Sequence, residues 1–211
     1  MALLIVALTG GIATGKSVVV KILKKHGCFI HSADRVAHQL MEPEKPAWKK
    51  IVCHFGPQIL NADRTIDRSR LGGIVFGNEK ERLFLNQVLH PLVLEKKKKI
   101  ICSLEKNSHF KIFVSEAALT IESGFAHFFD KIIVVHCQEE IQIKRLMARD
   151  KISRKEALQK IRSQMPVQEK LNYADYVIDT STSLKKTEEQ AERVFRCLLL
   201  DYKKKNRKEK T

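Results

Sequence analysis

The stretch that decides the fold is LTGGIATGKS, Leu8 to Ser17. Three of its ten residues, Gly10, Gly11 and Gly15, are glycines. Glycine is costly to order, so the clustering needs a physical reason. Gly10, the four residues Gly11, Ile12, Ala13 and Thr14, and then Gly15-Lys16-Ser17 fit the phosphate-binding pattern GxxxxGK[ST]. The context also fits. Leu3 to Leu8 is a continuous apolar run, which predicts a strand buried on both faces. From Lys16 the period becomes helical through Val19, Val20, Ile22 and Leu23, and Gly27 supplies a C-terminal stop. Glycines let such a loop curl so that its N–H groups point at an anion, and the helix adds its positive end. Lys16 then reaches the β- and γ-phosphates, and the Ser17 hydroxyl is a ligand for Mg²⁺. The expected ATP-binding set is Gly10, Gly11, Ile12, Ala13, Thr14, Gly15, Lys16, Ser17 and Val18.

The chain has 211 residues, 44% of them hydrophobic and 30% charged, which suits one globular domain with a sizeable core. No uncharged apolar run reaches the ~18 residues of a membrane span. The opening MALLIVALTGG lacks a basic flank and leads into the loop, so it reads as a strand and not as a signal peptide. Cys28, Cys53, Cys102, Cys137 and Cys197 are widely spaced, with no CxxC, which favours free thiols and a cytoplasmic setting. The net charge is +15. Such a balance favours an anionic partner without choosing among polyphosphate, nucleic acid and membrane surface. The tail Lys203 to Lys210 holds six basic residues and one acid, and reads as a solvated, frayed extension.

Further strands are expected at Cys28–His31, Lys111–Ala117, Lys131–Cys137 and within YADYVIDT. Helices alternate with them, which predicts an α/β fold with a central parallel sheet. Asp34 opens a helix that runs to about Met41. After the break at Glu42–Pro46, a mostly helical segment from Trp48 to about Lys106 reads as an insertion, with a turn-rich patch at Asn61–Arg68. Ser153 and Glu156 form a capping box at the start of a late helix, and a final amphipathic helix is expected over about 184–202.

A GTPase would carry an NKxD motif, which is absent, and a motor or transporter ATPase would need a longer chain. A small-molecule kinase remains. Asp34 stands just past the second strand; were that strand beside the first, the carboxylate would face the γ-phosphate and orient an acceptor hydroxyl. The other reading is that Asp34 caps its helix. Arg145 and Arg149 share one helix face, and Arg154 and Arg162 follow in the next helix, a pattern that fits a mobile lid placing positive charge around the transferring group.

Over almost its whole length the chain resembles dephospho-CoA kinases. The resemblance rests on ALTGGIATGKS, HSADRVAHQL, HFGPQIL, IDRSRLGGIVF, LNQVLHPLV, SEAALTIESG, RLMARD and IRSQMPVQEKLNYADYVID. It implies phosphorylation of the ribose 3′-hydroxyl of dephospho-CoA by ATP with Mg²⁺, giving coenzyme A and ADP. It also implies a P-loop nucleoside-kinase-like three-layer fold. The core would be 1–45 and 110–211, the inserted CoA-binding lobe about 46–109, the lid about 145–166, and the basic tail 203–211. By the same resemblance Asp34 is the catalytic aspartate, Arg145, Arg149 and Gln164 are nucleotide-contacting lid residues, and Arg68 and His90 lie at the acceptor. His90 precedes Pro91, and a helix stop before the proline explains that pair equally well.

Two positions depart from the family pattern. Ser32 stands where the first aspartate of D-A-D is expected, which weakens any water-mediated hold on Mg²⁺. VIDTSTS replaces an asparagine-glycine loop, which bears on adenine selectivity. The rival readings are another P-loop kinase, such as one acting on a nucleoside monophosphate, and a nucleic-acid module using the basic charge. The second lacks a recognisable binding motif. A monomer is the default expectation.

Overall fold

Strand β1 (Leu4–Thr9) is buried at every position except the half-buried Ile5, because both faces of its sheet are covered. The computed structural model describes residues 2–107 and 109–208. After β1 come α1 (Lys16–Lys25), β2 (Phe29–Ser32), α2 (Ala33–Leu40), α3 (Pro46–Phe55), α4 (Arg68–Gly77) and α5 (Glu79–Asn107). Then follow β3 (Ile112–Glu116), β4 (Lys131–His136), α6 (Glu139–Asp150), α7 (Arg154–Arg162), α8 (Val167–Leu171), β5 (Tyr176–Asp179) and α9 (Leu184–Lys208). The five strands form one sheet in the order β2-β3-β1-β4-β5. β1 is parallel to β3, with Val6 opposite Val114, and to β4, with Leu8 opposite Ile133; β4 is parallel to β5. The second strand therefore neighbours β3 and lies one strand away from β1, which removes the adjacency on which the facing of Asp34 was conditional.

Alternation along the strands builds two cores. Leu4, Val6 and Leu8 join Val114, Ile133, Val135 and Ile178 under α1 (Val19, Leu23) and α9 (Ala191, Val194, Leu198). Ala7, Ile132 and Val134 pack on Ala126, Phe129, Leu171 and Ala174. This is the three-layer α/β arrangement expected from the sequence.

The chain divides into two compact units, Met1–His31 with Ile101–Thr211, and Ser32–Ile100. The second begins earlier than the expected 46–109, because α2 packs its Ala37 and Leu40 into the helical core of Trp48, Ile51, Phe55, Ile59 and Leu71. In that unit the expected turn patch is a tight loop. Arg64 takes a left-handed φ of 66°, accepts the Trp48 indole N–H at its carbonyl (2.9 Å), and lays its guanidinium over the Trp48 ring.

Two local expectations fail. α5 continues through Pro91, so His90-Pro91 is no helix stop. The tail is not frayed: α9 runs to Lys208, Lys205 Nζ donates to Asp130 Oδ2 (2.6 Å) and Leu3 O (3.0 Å), and Asn206 Nδ2 donates to Ala2 O (3.0 Å). Acceptors at the start of β1 and at Asp130 offset the like-charge repulsion. The end of the expected tail, 209–211, lies outside the described residues.

Leu198 is fully buried between α9 and the sheet. Leu198→Ala should destabilise the protein by about 2–5 kcal/mol, read as a lower urea midpoint with an unchanged slope.

Candidate functional site

The loop after β1 is held by its own lysine. Lys16 Nζ donates to the carbonyls of Gly10 (2.9 Å) and Gly11 (2.8 Å), and Thr14 Oγ1 donates to Gly11 O (2.9 Å). Gly15 is the N-cap of α1, in a left-handed conformation with φ 88°. Lys16 and Ser17 thus open the helix whose N–H groups and dipole favour an anion. Gly10 has φ 147°, and a β-carbon there would overlap the Val135 carbonyl oxygen of β4. No other residue type fits so close a crossing of loop and strand.

Beside the loop is a cavity of about 360 Å³ lined by Ala13, Gly15, Ser17, Val18, Arg145, Arg149, Thr180, Thr182, Leu184 and Thr187. It brings together half of the nucleotide set expected from the sequence: Ala13, Gly15, Ser17, Val18, Arg145 and Arg149. The altered VIDTSTS loop forms one wall. Its buried Thr180 donates from Oγ1 to Thr14 O (2.7 Å) and accepts there from Arg145 Nη1 (2.9 Å), while Arg145 Nη2 donates to Thr180 O (2.8 Å). Thr180 therefore ties the loop to α6, a role that its sequence position did not signal.

On the other flank is a cavity of about 330 Å³, lined among others by Gly11, Thr14, Gln142, Arg162, Gln164 and Lys170. Gln164 Oε1 accepts the Ile12 N–H (2.7 Å), so the glutamine expected in a lid touches the loop itself. Below it the fully buried Lys170 donates from Nζ to Glu122 Oε1 (2.6 Å) and Ala118 O (2.9 Å), and the same Glu122 oxygen accepts the Met165 N–H (3.3 Å). Cys137 also lines this cavity. Burial raises its thiol pKa, partly offset by Arg145, and burial pushes Cys28 up to about 12. All five cysteines are free.

The arginines expected in a lid differ in their partners. Arg154 makes a two-pronged pair with Glu140 (2.6 and 3.0 Å), tying α7 to α6. Arg149 Nε donates to Asp150 Oδ1 (2.7 Å), and Lys160 Nζ donates to Asp150 Oδ2 (3.0 Å).

In the second unit Asp34 is exposed in the first turn of α2. It is not the cap: Ser32 is, its Oγ accepting the Arg35 N–H at 3.4 Å. Ser32 thus has a structural role where the family pattern has an acid. One turn on, His38 has a lowered pKa, chiefly from burial, then from the Arg68 guanidinium, with Asp34 acting in the opposite sense. Asp34 and Arg68 therefore share one electrostatic neighbourhood around His38, a residue that the sequence reading did not single out. His90 is half-buried on α5, and burial lowers its pKa.

The family described as dephospho-CoA kinase matches residues 4–186. A dephospho-CoA kinase of Carboxydothermus hydrogenoformans is 47% identical over 186 residues, covering 88% of this chain and 90% of that one. The structure of dephospho-CoA kinase from Campylobacter jejuni is similar with a TM-score of 0.66 and 31% identity, covering 91% of this chain and 95% of that one. Shikimate kinase from Acinetobacter baumannii, 15% identical with a TM-score of 0.57 over 94% of each chain, shares the fold.

The Arg149 and Lys160 hydrogen bonds lower the Asp150 pKa from 3.8 to about 2. A depressed carboxyl pKa gives stability that is present above the unfolded value and lost as pH falls through the folded one. Urea titrations should show wild type above Asp150→Asn at pH 5, with the difference closing as pH falls from about 4 to 2.

Proposed function

The chain belongs to the dephospho-CoA kinase family, which catalyses the final step of coenzyme A synthesis, and we propose that it transfers the γ-phosphoryl group of ATP to the ribose 3′-hydroxyl of dephospho-CoA. The carrying observation is the loop in which Lys16 bridges the Gly10 and Gly11 carbonyls beside a cavity walled by Arg145 and Arg149. The loop N–H groups from Ala13 to Val18 cradle the phosphates, and Lys16 turns from the carbonyls to the β- and γ-oxygens. Arg145, Arg149 and the lid end at Gln164 close over the nucleotide and exclude water.

Asp34 accepts the proton of the 3′-hydroxyl as its oxygen bonds to the γ-phosphorus and the bond to the bridging oxygen of ADP breaks. The exposed, non-capping carboxylate supports this role, as does its match to the second aspartate of the family motif. Arg68 and His90 line the acceptor side, and Arg68 supplies positive charge for the substrate's phosphates.

Mg²⁺ is the metal. Among the described residues no cluster of His, Cys, Asp or Glu forms a cage. Mg²⁺ needs none, since it is held through one or two protein oxygens, water and phosphate. The Ser17 hydroxyl on the cavity wall is a suitable hard ligand, and the bound ion neutralises charge on the β- and γ-oxygens. Among the described residues no helix is long and apolar enough to cross a membrane. The five free thiols support a reducing, cytoplasmic setting.

An ADP-release assay with Mg·ATP, comparing dephospho-CoA with AMP, CMP and adenosine, tests the acceptor. Turnover with dephospho-CoA and a product heavier by one phosphate group is expected; turnover only with a monophosphate would overturn the assignment. Lys16→Ala and Asp34→Asn should each lower kcat by about 100-fold or more with little change in melting temperature. Near-normal kcat in Asp34→Asn would remove the aspartate from its role.

A further inference from the structure

Ile12 is the one loop residue whose backbone groups are both held from outside the loop, among the described residues. Its N–H donates to Gln164 Oε1 (2.7 Å), and its carbonyl accepts from Gln142 Nε2 (2.7 Å). The two glutamines come from different places, Gln164 from the lid end beyond α7 and Gln142 from the first turns of α6. Gln142 is only 8% exposed, on the same buried face of α6 as Leu146. A polar side chain in a core phase must find a partner, and here the partner is the loop backbone.

A second observation concerns Gly11. Its φ is not left-handed, so backbone freedom does not explain the glycine. A β-carbon at Gly11, however, would lie 2.8 Å from Gln142 Nε2 and 3.3 Å from Thr14 Cγ2. The Gln142 amide cannot retreat without giving up the Ile12 carbonyl. Gly11 and Gln142 are thus two halves of one contact.

We propose that Gln142 is a positioning residue for nucleotide binding: its amide fixes the Ile12 carbonyl from α6 while Gln164 fixes the Ile12 N–H from the lid, presetting the loop for the phosphates. The inference rests on reading the loop as the ATP site. A preset loop loses less freedom on binding, so the contact acts on ATP affinity rather than on the acceptor.

The test is calorimetric titration of the purified full chain with Mg·ATP, which needs no acceptor. Gln142→Met keeps the volume and removes the donor; it should bind ATP about tenfold more weakly, the scale of one lost hydrogen bond to a loop carbonyl. KM for dephospho-CoA should be unchanged. Gly11→Ala should cause a loss of the same order by displacing the amide. In Gln142→Met/Gly11→Ala the two losses should not add, since each removes the same contact. ATP binding by Gln142→Met equal to that of wild type would overturn the proposal. So would additive losses in the double variant. Recovery of wild-type ATP affinity in the double variant would also overturn it, since the Ile12 carbonyl is still unheld there. Wild-type enzyme that binds ATP but leaves dephospho-CoA unchanged would sink the acceptor assignment and leave this test intact.

Discussion

The closest constraint in the molecule is the passage of Gly10 over the Val135 carbonyl. β1 and β4 are parallel neighbours, with Thr9 opposite Val134, so the chain leaving β1 must turn directly over the end of β4. Only a residue without a β-carbon passes there. That turn sets the loop above α1, and both flanking cavities follow from it. The strand order adds the rest. From β1 the chain first builds β2 and β3 on one side and then crosses to β4 and β5 on the other. The loop sits where that direction reverses, at the carboxyl ends of the strands, where open parallel sheets leave a crevice for a ligand.

Polar groups around the loop hold one another, although among the described residues the buried Glu122 Oε2 has no hydrogen-bond partner, and this fixes geometry more than it adds stability. The Lys170–Glu122 pair is the clearest case. A fully buried ammonium costs several kcal/mol to desolvate, and its attraction to the carboxylate roughly repays that cost. What remains is placement. Glu122 also accepts the Met165 N–H, so the segment after β3 holds the link between α7 and α8 next to Gln164. Thr180 does the same on the opposite flank, taking Arg145 and Thr14 in one hydroxyl. The loop is braced on each side by a different part of the chain.

Residues near one another in sequence were legible; those brought together by pairing were not. The glycine loop, the buried strands and the Ser153 capping box announce themselves through local spacing, and the structure contains them. The neighbour of β2 does not, since its apolar run suits β1 and β3 equally. Pro91 misleads because packing carries α5 past one missing N–H. The tail misleads because its acceptors, Leu3 O, Ala2 O and Asp130, lie far away in sequence. The break at Glu42–Pro46 is real, but it is a turn inside the second unit and not its edge. Gln142 did carry a signal, a polar residue in the apolar phase of α6, though its partner could not be named without the fold.

The net charge of +15 says less about the site than the pairing of its few cations. Arg154 is matched by Glu140, both about half exposed, and the half-exposed Arg149 by the more covered Asp150. Exposed pairs contribute little, about 0–1 kcal/mol, so Arg154 can leave Glu140 at small cost, while Arg149 is held more firmly by Asp150. Arg145 is different. It donates to Thr180, a neutral partner, and no acidic side chain pairs with it among the described residues. Its charge therefore remains uncompensated at the cavity wall before any anion arrives. Arg145 stands at the cavity wall without an acid beside it, whereas Arg149 is held by Asp150. The difference between the two follows from which residues have acids beside them, not from how basic the chain is.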